Sequence, residues 1–371
     1  MPELPEVETV RAGLARHLTG RMVERVEIFD PRPLRRQEGG ADAFVQRLTG
    51  RTFTAAVRRG KFLWLPLDDG AALVAHLGMS GQLLVHGTPG ALAARESGDD
   101  AHAFLGDPDA PRVDLTATRA PLPAEDPDAR PRHLRVRLHL RPIAGDAASG
   151  AVLDLVDQRM FGGLRVTDMV STADGAPGGA GSPAPLIPAD VTHIARDLLD
   201  PHLDRPAVVA KMRHSNRAVK TLLLDQGIVS GVGNIYADEG LWAARVHGLR
   251  RGSALGPRVT ARLLDATGEV MERALAAGGT SFDALYVDAD GAAGFFARSL
   301  AVYGRAGQEC RRCGALLRAE TIGGRSHVFC PRCQTRPRLP RNCPASVPPR
   351  HPRRTRPGAI PGRCRPPTGH V

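Results

Sequence analysis

The chain opens MPELPEVETV, which sets a proline directly behind the initiator methionine and three carboxylates, Glu3, Glu6 and Glu8, just after it. Methionine in front of a small residue is ordinarily removed. The mature chain would then begin with the secondary amine of Pro2. An α-amine has a pKa of about 8, far enough below a lysine's to be partly unprotonated and nucleophilic at neutral pH. A plainer reading is that Pro5 starts a helix, with the glutamates at its positive end. Further along, Cys310 and Cys313 are followed, after sixteen residues, by Cys330 and Cys333. Two C-x2-C hooks at that separation can surround one structural Zn2+ with four thiolates, which closes the site to substrate. Disulfides or an iron–sulfur centre are the alternatives. A zinc ribbon alone says only that a small domain is stapled.

These groups need elements to hold them. Apolar residues at 4, 7, 14 and 18 suit an amphipathic helix over Leu4 to Leu18. After it come RMVERVEIF, RTFTAAVRRGKFLWLPL, AALVAHLGMSGQLLV, HLRVRLHL and AVLDLVDQ, whose alternation predicts antiparallel strands buried on one side, in two facing sheets. Residues 2–170 therefore read as a β-sandwich domain with a leading helix, interrupted over 87–132 by an Ala-, Pro-, Gly- and Asp-rich stretch with little regular structure. STADGAPGGAGSPAPL, within 171–189, reads as an interdomain linker. From 190 to 300 the pattern is helical. RAVKTLLLDQG and NIYADEGLWAARV flank GIVSGVGN, and Asn234 is expected to cap the second helix. Backbone N–H groups at such a glycine turn and helix start make a place for a phosphate. Residues 301–335 form the ribbon, with turn glycines at Gly314 and Gly323–Gly324, and 336–371 a disordered basic Pro/Arg-rich tail.

Composition bounds the rest. The chain has 371 residues, room for two or three domains, no apolar run long enough to span a membrane and no apolar signal segment, so a cytoplasmic protein is expected. The net charge of +11 owes nine arginines to the stretch after Cys333; without it +2 remains, so a DNA-binding reading must rest on local groups. Lysine occurs only at Lys61, Lys211 and Lys220, which marks those positions for a compact ammonium rather than a guanidinium fork.

Taken together, PELPEVET at 2–9, RRGKFL at 58–63, HLGMSG at 76–81, DQRMFGG at 157–163, VKTLLLDQGIVSGVGNIYADEGL at 219–241, GGTSFDALYVDADGAAGFF at 278–296 and GRSHVFCPRCQ at 324–334 resemble the bacterial formamidopyrimidine-DNA glycosylase (8-oxoguanine repair) family. The resemblance covers most of the chain except 87–132, the linker and the tail. It implies a multidomain α+β protein: an N-terminal antiparallel β-sandwich, a helix–two-turn–helix domain and a zinc ribbon, with duplex DNA held in the cleft. It also implies a monomer that excises oxidised purines opposite cytosine and cleaves the strand by β,δ-elimination.

The resemblance assigns roles. Pro2 is the nucleophile forming a Schiff base at C1′, Glu3 the acid at the sugar ring oxygen, and Glu6 a supporting carboxylate. Lys61 grips phosphate beside the lesion. Met79, Arg159 and Phe161 fill the hole left by the extruded base, with Arg159 bonding the orphaned partner base. His76, Lys220, Asn234 and Arg325 complete the DNA contacts, and Thr280 and Ser281 belong to a loop over the lesion. Cys310, Cys313, Cys330 and Cys333 hold the structural zinc. Met160 and Gly248 depart from the family pattern, Gly248 standing where a proline is common; strand alternation would turn Met160 away from its neighbours, and Gly248 would loosen the bend after its helix. An oxidised-pyrimidine glycosylase resembling endonuclease VIII is disfavoured by the PELPE start. A non-catalytic damage binder would need Pro2, Glu3 or Lys61 to be missing, and a zinc scaffold for proteins explains only the cysteines.

Overall fold

Helix α1 (Leu4–Leu18) starts with Pro5 in its first turn, and the Glu6 carboxylate accepts the Glu3 backbone N–H at 2.9 Å, tying off the free end. Its apolar stripe serves two cores. Val7, Val10, Leu14 and Leu18 pack into the β core, whereas Leu4 is buried in the helical core. The first turn of the chain therefore lies where the two cores meet. The computed structural model describes residues 2–87, 132–144, 150–278 and 299–337; the 87–132 interruption and the 336–371 tail fall almost wholly outside them.

Nine strands follow: β1 (Val23–Ile28), β2 (Val57–Arg59), β3 (Phe62–Pro66), β4 (Ala71–His76), β5 (Gly81–His86), β6 (Leu134–Leu140), β7 (Ala151–Asp157), β8 (Gly163–Ser171) and β9 (Leu186–Pro188). They pair antiparallel into two sheets, ordered β1-β6-β7-β5 and β2-β3-β4-β8-β9. Leu63, Leu65, Leu73 and Ala75 of one sheet meet Leu83, Val136, Leu138 and Leu153 of the other, as the alternation requires. A helix the sequence reading lacked, α2 (Gly40–Leu48), closes one side by burying Phe44 and Leu48 in the same core.

The 171–189 stretch connects the domains, but not as a loose tether. Residues 186–188 return to pair with β8, and Arg58 and Ala180 exchange backbone hydrogen bonds at 2.9 Å. A side chain at Gly179 or Gly181 would overlap the Arg58 or Ala56 carbonyl, so the glycines serve close packing rather than slack. Arg196 then clamps the segment through Asp174 at 2.7 Å.

The helical part comprises α3 (Arg205–Arg213), α4 (Val219–Leu223), α5 (Asn234–Ala243) and α6 (Pro257–Ala276). Asp204 caps α3 by accepting the Ala207 N–H at 2.9 Å. The ribbon contributes β10 (Arg318–Ile322) and β11 (Arg325–Phe329), paired through the tight turn at Gly323–Gly324. It docks on α5. The buried Glu239 carboxylate accepts the N–H groups of Ala301, Val302 and Tyr303 at 2.8 Å each, and the Arg312 guanidinium lies 3.9 Å from the Trp242 ring centre.

Candidate active site and DNA interface

Pro2 is buried at the junction of the two cores, and beside it is Glu3, the N-cap residue of α1, paired with Glu6 in a capping box. Its side chain crosses to the start of α5. There one carboxylate oxygen accepts the Gly233 N–H at 2.6 Å and the other the Ile235 N–H at 2.9 Å. The anion site at this helix start, expected to hold a phosphate, is thus filled by the protein's own carboxylate. Asn234 is accordingly not the cap. Gly233 occupies that position in extended backbone, and Asn234 is the first helical residue, its side chain bonded to Tyr303. A Cβ at Gly233 would overlap the Glu3 carboxyl, and one at Gly231 would lie 2.7 Å from the Leu4 side chain. The glycines of GVGN therefore let two segments of the protein approach each other.

Glu6 is fixed as firmly. One oxygen holds the Glu3 N–H and the other accepts the Tyr236 hydroxyl at 2.7 Å. Lys61 is 9% exposed, so its arm lies inside the site rather than in solvent. It sits on the turn after β2, whose position is set by Asp197. This buried carboxylate accepts the Gly60 N–H at 3.0 Å and Arg58 at 2.8 Å, while Arg58 reaches Glu8 of α1 at 2.7 Å. Burial pushes the Glu3 carboxyl up to about 7, against the opposing pull of Lys61 and the backbone donors and with help from Glu6. Burial likewise lowers the Lys61 ammonium from its ordinary value, opposed by Glu3 and Glu6. An acid poised near neutrality and a lysine that interacts with it can together handle proton transfer at a leaving group beside Pro2, whose nitrogen becomes an amine once Met1 is removed.

Met79 and Phe161 project from a second pair of loops, 40% and 53% exposed, a large apolar outlay for a folded surface. Arg159 is exposed beside them. Their backbones are held from below by Asp157, which is fully buried. It accepts the Ser80 hydroxyl at 2.6 Å, the Arg159 N–H at 3.1 Å and the Gly162 N–H at 2.7 Å. From the other side, Arg35 donates to the Gly162 carbonyl at 2.9 Å. Residues 158–162 form a loop between β7 and β8 rather than a continuing strand, and Met160 takes φ of 62°. A left-handed turn, not strand alternation, decides where Met160 points.

Two expected DNA contacts are qualified by the structure. His76, half-buried at the end of β4, accepts the Gly78 N–H at Nδ1, 3.2 Å away, and burial lowers its pKa; it shapes the Met79 turn as a neutral ring and does not offer a positive charge. Lys220 has no exposed side chain. Its ammonium is bonded to Asp238 at 2.7 Å and to the Ser326 carbonyl, so it braces the ribbon from beneath instead of extending toward a phosphate. Arg325, at the start of β11, is exposed as expected. Thr280 and Ser281 lie outside the described residues.

The four cysteine sulfurs lie within 4.8 Å of one another, with Cys313 3.5 Å from both Cys330 and Cys333. Tetrahedral thiolates about 2.3 Å from zinc are separated by slightly more than this, so the residues fit a four-sulfur Zn2+. That ion would staple the two cysteine hooks and leave no open coordination position.

Sequence reading had no signal for Tyr236, Asp157, Asp197 or Glu239, because each acts on a backbone or side chain remote in the chain. Residues 1–164 match the formamidopyrimidine-DNA glycosylase N-terminal domain, 194–285 the helix–two-turn–helix domain of that enzyme, and 307–336 the zinc finger found in FPG and IleRS. The formamidopyrimidine-DNA glycosylase of Mycolicibacterium smegmatis is 46% identical over 92% of this chain and all of its own. Among solved structures, Lactococcus lactis Fpg in complex with DNA containing an abasic site is 27% identical, with a TM-score of 0.64 over 90% of this chain and 100% of that one. The same enzyme with Fapy-dG-containing DNA aligns equally well, at 26% identity and a TM-score of 0.64. With the three domains matched in order around a buried proline and its paired glutamates, this chain belongs to the formamidopyrimidine-DNA glycosylase family.

Proposed function

We propose that the protein is a bifunctional DNA glycosylase and AP lyase that removes oxidised purines, 8-oxoguanine and formamidopyrimidines, from duplex DNA during base excision repair. The observation that carries this reading is the Pro2–Glu3–Glu6 group, buried and held by the start of α5, with Glu3 poised near neutrality. The Pro2 amine attacks C1′ of the damaged nucleotide and the bond to the base breaks, the base leaving with a proton. Glu3, protonated below about pH 7, delivers its proton to O4′ as the C1′–O4′ bond opens. The result is an iminium between Pro2 and C1′. Its positive charge acidifies the C2′ proton, so loss of that proton expels the 3′ phosphate and a second elimination expels the 5′ phosphate. Lys61, between Glu3 and the exposed Arg325, supplies positive charge for a phosphate flanking the lesion.

Extrusion leaves a gap beside the partner base. Met79 and Phe161 are exposed and unbranched or flat at their tips, as fillers must be. Arg159 then faces the partner base, for which we take cytosine, an acceptor-bearing edge suited to guanidinium donors. The protein acts as a monomer in the bacterial cytoplasm, on DNA in the nucleoid; among the described residues no helix is long and apolar enough to cross a membrane.

Borohydride trapping on an 8-oxoguanine:cytosine duplex, with mass spectrometry of the adduct, tests the reading. A covalent complex at the Pro2 amine, absent in Pro2→Gly and in protein that retains Met1, is the expected result. Tight lesion binding without adduct or cleavage would leave a damage-recognition protein, and trapping only on oxidised-pyrimidine duplexes would move the substrate class.

A further inference from the structure

Behind Arg325 lies a group of buried polar residues that the chemistry above does not use. The three residues following Arg325 in β11 are each fastened to the helical part. The Ser326 carbonyl accepts from the Lys220 ammonium, His327 Nδ1 lies 2.7 Å from Asp238 Oδ1, and the Val328 N–H reaches Asp238 Oδ2 at 3.0 Å. Lys220, Asp238 and His327 have no exposed side-chain surface. The fourth member is Gly248, on the turn after α5, whose N–H donates to His327 Nε2 at 3.3 Å. That bond fixes the tautomer: with Nε2 accepting, Nδ1 carries the proton and donates it to Asp238. The network is satisfied by a neutral imidazole bridging a backbone N–H and a carboxylate.

His247, Glu320 and His327 also lie close enough to suggest a second metal site. The hydrogen bonds oppose it. His247 Nδ1 accepts the Leu249 N–H at 3.2 Å, so its proton sits on Nε2 and faces Glu320, leaving no lone pair there for a cation.

Gly248 is not the loose joint its sequence suggested. It is buried, its carbonyl accepts the Lys220 N–H at 3.1 Å, and a Cβ would stand 2.9 Å from His327 Nε2 and 3.0 Å from Ile322. A proline there would remove the N–H that His327 requires and press against the imidazole. Glycine at 248 and histidine at 327 therefore fit as a pair.

We infer that His327, locked between Gly248 and Asp238, is a positioning residue that sets the height and direction of Arg325 over the cleft, and that Gly248 is what admits it. The inference rests on the reading of Arg325 as a phosphate contact. Lesion affinity should depend on His327 through Arg325, not independently of it.

The test is a double-mutant cycle in the full-length zinc-loaded protein, using a duplex with a tetrahydrofuran abasic analogue. Wild-type binding is measured first. Arg325→Ala and His327→Ala should each weaken binding roughly tenfold, and the pair should be little worse than Arg325→Ala alone, the signature of residues acting as one unit. In 8-oxoguanine excision the His327→Ala loss should fall on KM, with kcat and zinc content held. Gly248→Pro should lose affinity, and adding His327→Ala to it should cost nothing more. Full additivity of Arg325→Ala and His327→Ala, or wild-type affinity in His327→Ala, would overturn the inference while leaving the enzyme reading intact. Failure of the wild type itself to bind the lesion duplex would overturn both. If His327→Ala loses zinc or fails to fold, His327→Asn, which keeps one donor and one acceptor, becomes the variant read in the same cycle.

Discussion

The surroundings of the proposed nucleophile and the loops proposed to fill the void solve opposite problems with the same means. Around Pro2 the functional side chains are themselves buried: Glu3 and Glu6 are 3% and 8% exposed, and each oxygen of either carboxylate receives a named donor. Around Arg159 the functional side chains stand in solvent, and the buried carboxylate, Asp157, belongs to the support. Glu3, whose proton affinity is raised by burial, is taken out of water. Groups proposed to enter DNA stay exposed, and the buried carboxylate beneath them binds their loop through backbone N–H groups. In both places a buried carboxylate collecting backbone N–H groups sets the geometry, at full strength because water is excluded.

The comparison predicts unequal costs. Glu3→Gln should be the most damaging, lowering excision of 8-oxoguanine by about 10²- to 10⁴-fold in single-turnover kinetics, since it removes the acid. The wild-type kcat/KM should fall along an alkaline limb centred near the Glu3 value of about 7, because the protonated form is the active one, and the Gln variant's residual activity should lack that limb. Stability carries the same sign. The Glu3 pKa is raised from 4.5 in the free side chain, so its contribution to stability is fully present below about 4.5 and lost as pH rises through about 7. Denaturant titrations should thus show Glu3→Gln gaining on the wild type between pH 5 and pH 8, values of about that order being set by the same linkage. An unchanged difference would mean that Glu3 stays ionised throughout.

Gly233→Ala comes next. It leaves every catalytic group in place yet drives a methyl into the Glu3 carboxyl, and a displacement of about 1 Å at such a site costs on the order of 10²-fold. Asp157→Asn should follow, at roughly tenfold in glycosylase rate, because one of two N–H donors then faces an amide NH2. Its AP lyase activity on a preformed abasic site should suffer less, as no base has to be expelled from the stack. Equal losses in both assays would place Asp157 in general stability instead. Smallest of all, Met79→Ala should leave thermal stability within about 0.5 kcal/mol, the ordinary range for an exposed substitution, while still slowing excision several-fold. A Met79→Ala protein that unfolds earlier would show the side chain to be structural.

Much of this was legible before any coordinates. The cysteine hooks, the strand alternation and the residues of the opening decapeptide each carry a local signal of spacing or residue type. What was not legible shares a physical cause. The sequence marks the glycine turn before α5 as a place for a phosphate, but not that the Glu3 carboxylate, 230 positions earlier, occupies its N–H groups. Asn234 was a sound capping candidate by residue type, displaced because a remote carboxylate offered the helix a better partner. Lys220 reads from the sequence as a DNA contact, since nothing in its neighbourhood announces Asp238 and Ser326 as partners from other elements. Met160 was misjudged through period: alternation does not extend past Asp157, where the chain leaves the strand and turns left-handed. The 171–189 glycines were taken for slack because composition does not distinguish a flexible segment from one packed too tightly for side chains.

The bond from Glu3 to the start of α5 also fixes when the protein becomes reactive. During synthesis the N-terminal proline emerges first and the residues that complete its surroundings more than two hundred positions later. Until Gly233, Ile235 and Tyr236 have left the ribosome and folded, Glu3 has no donors and Glu6 lacks its tyrosine. Closure of so distant a contact is a late event in folding. If Pro2 is the nucleophile, an incomplete chain carries it without the means to use it, and DNA meets a working site only after both halves of the molecule have been made.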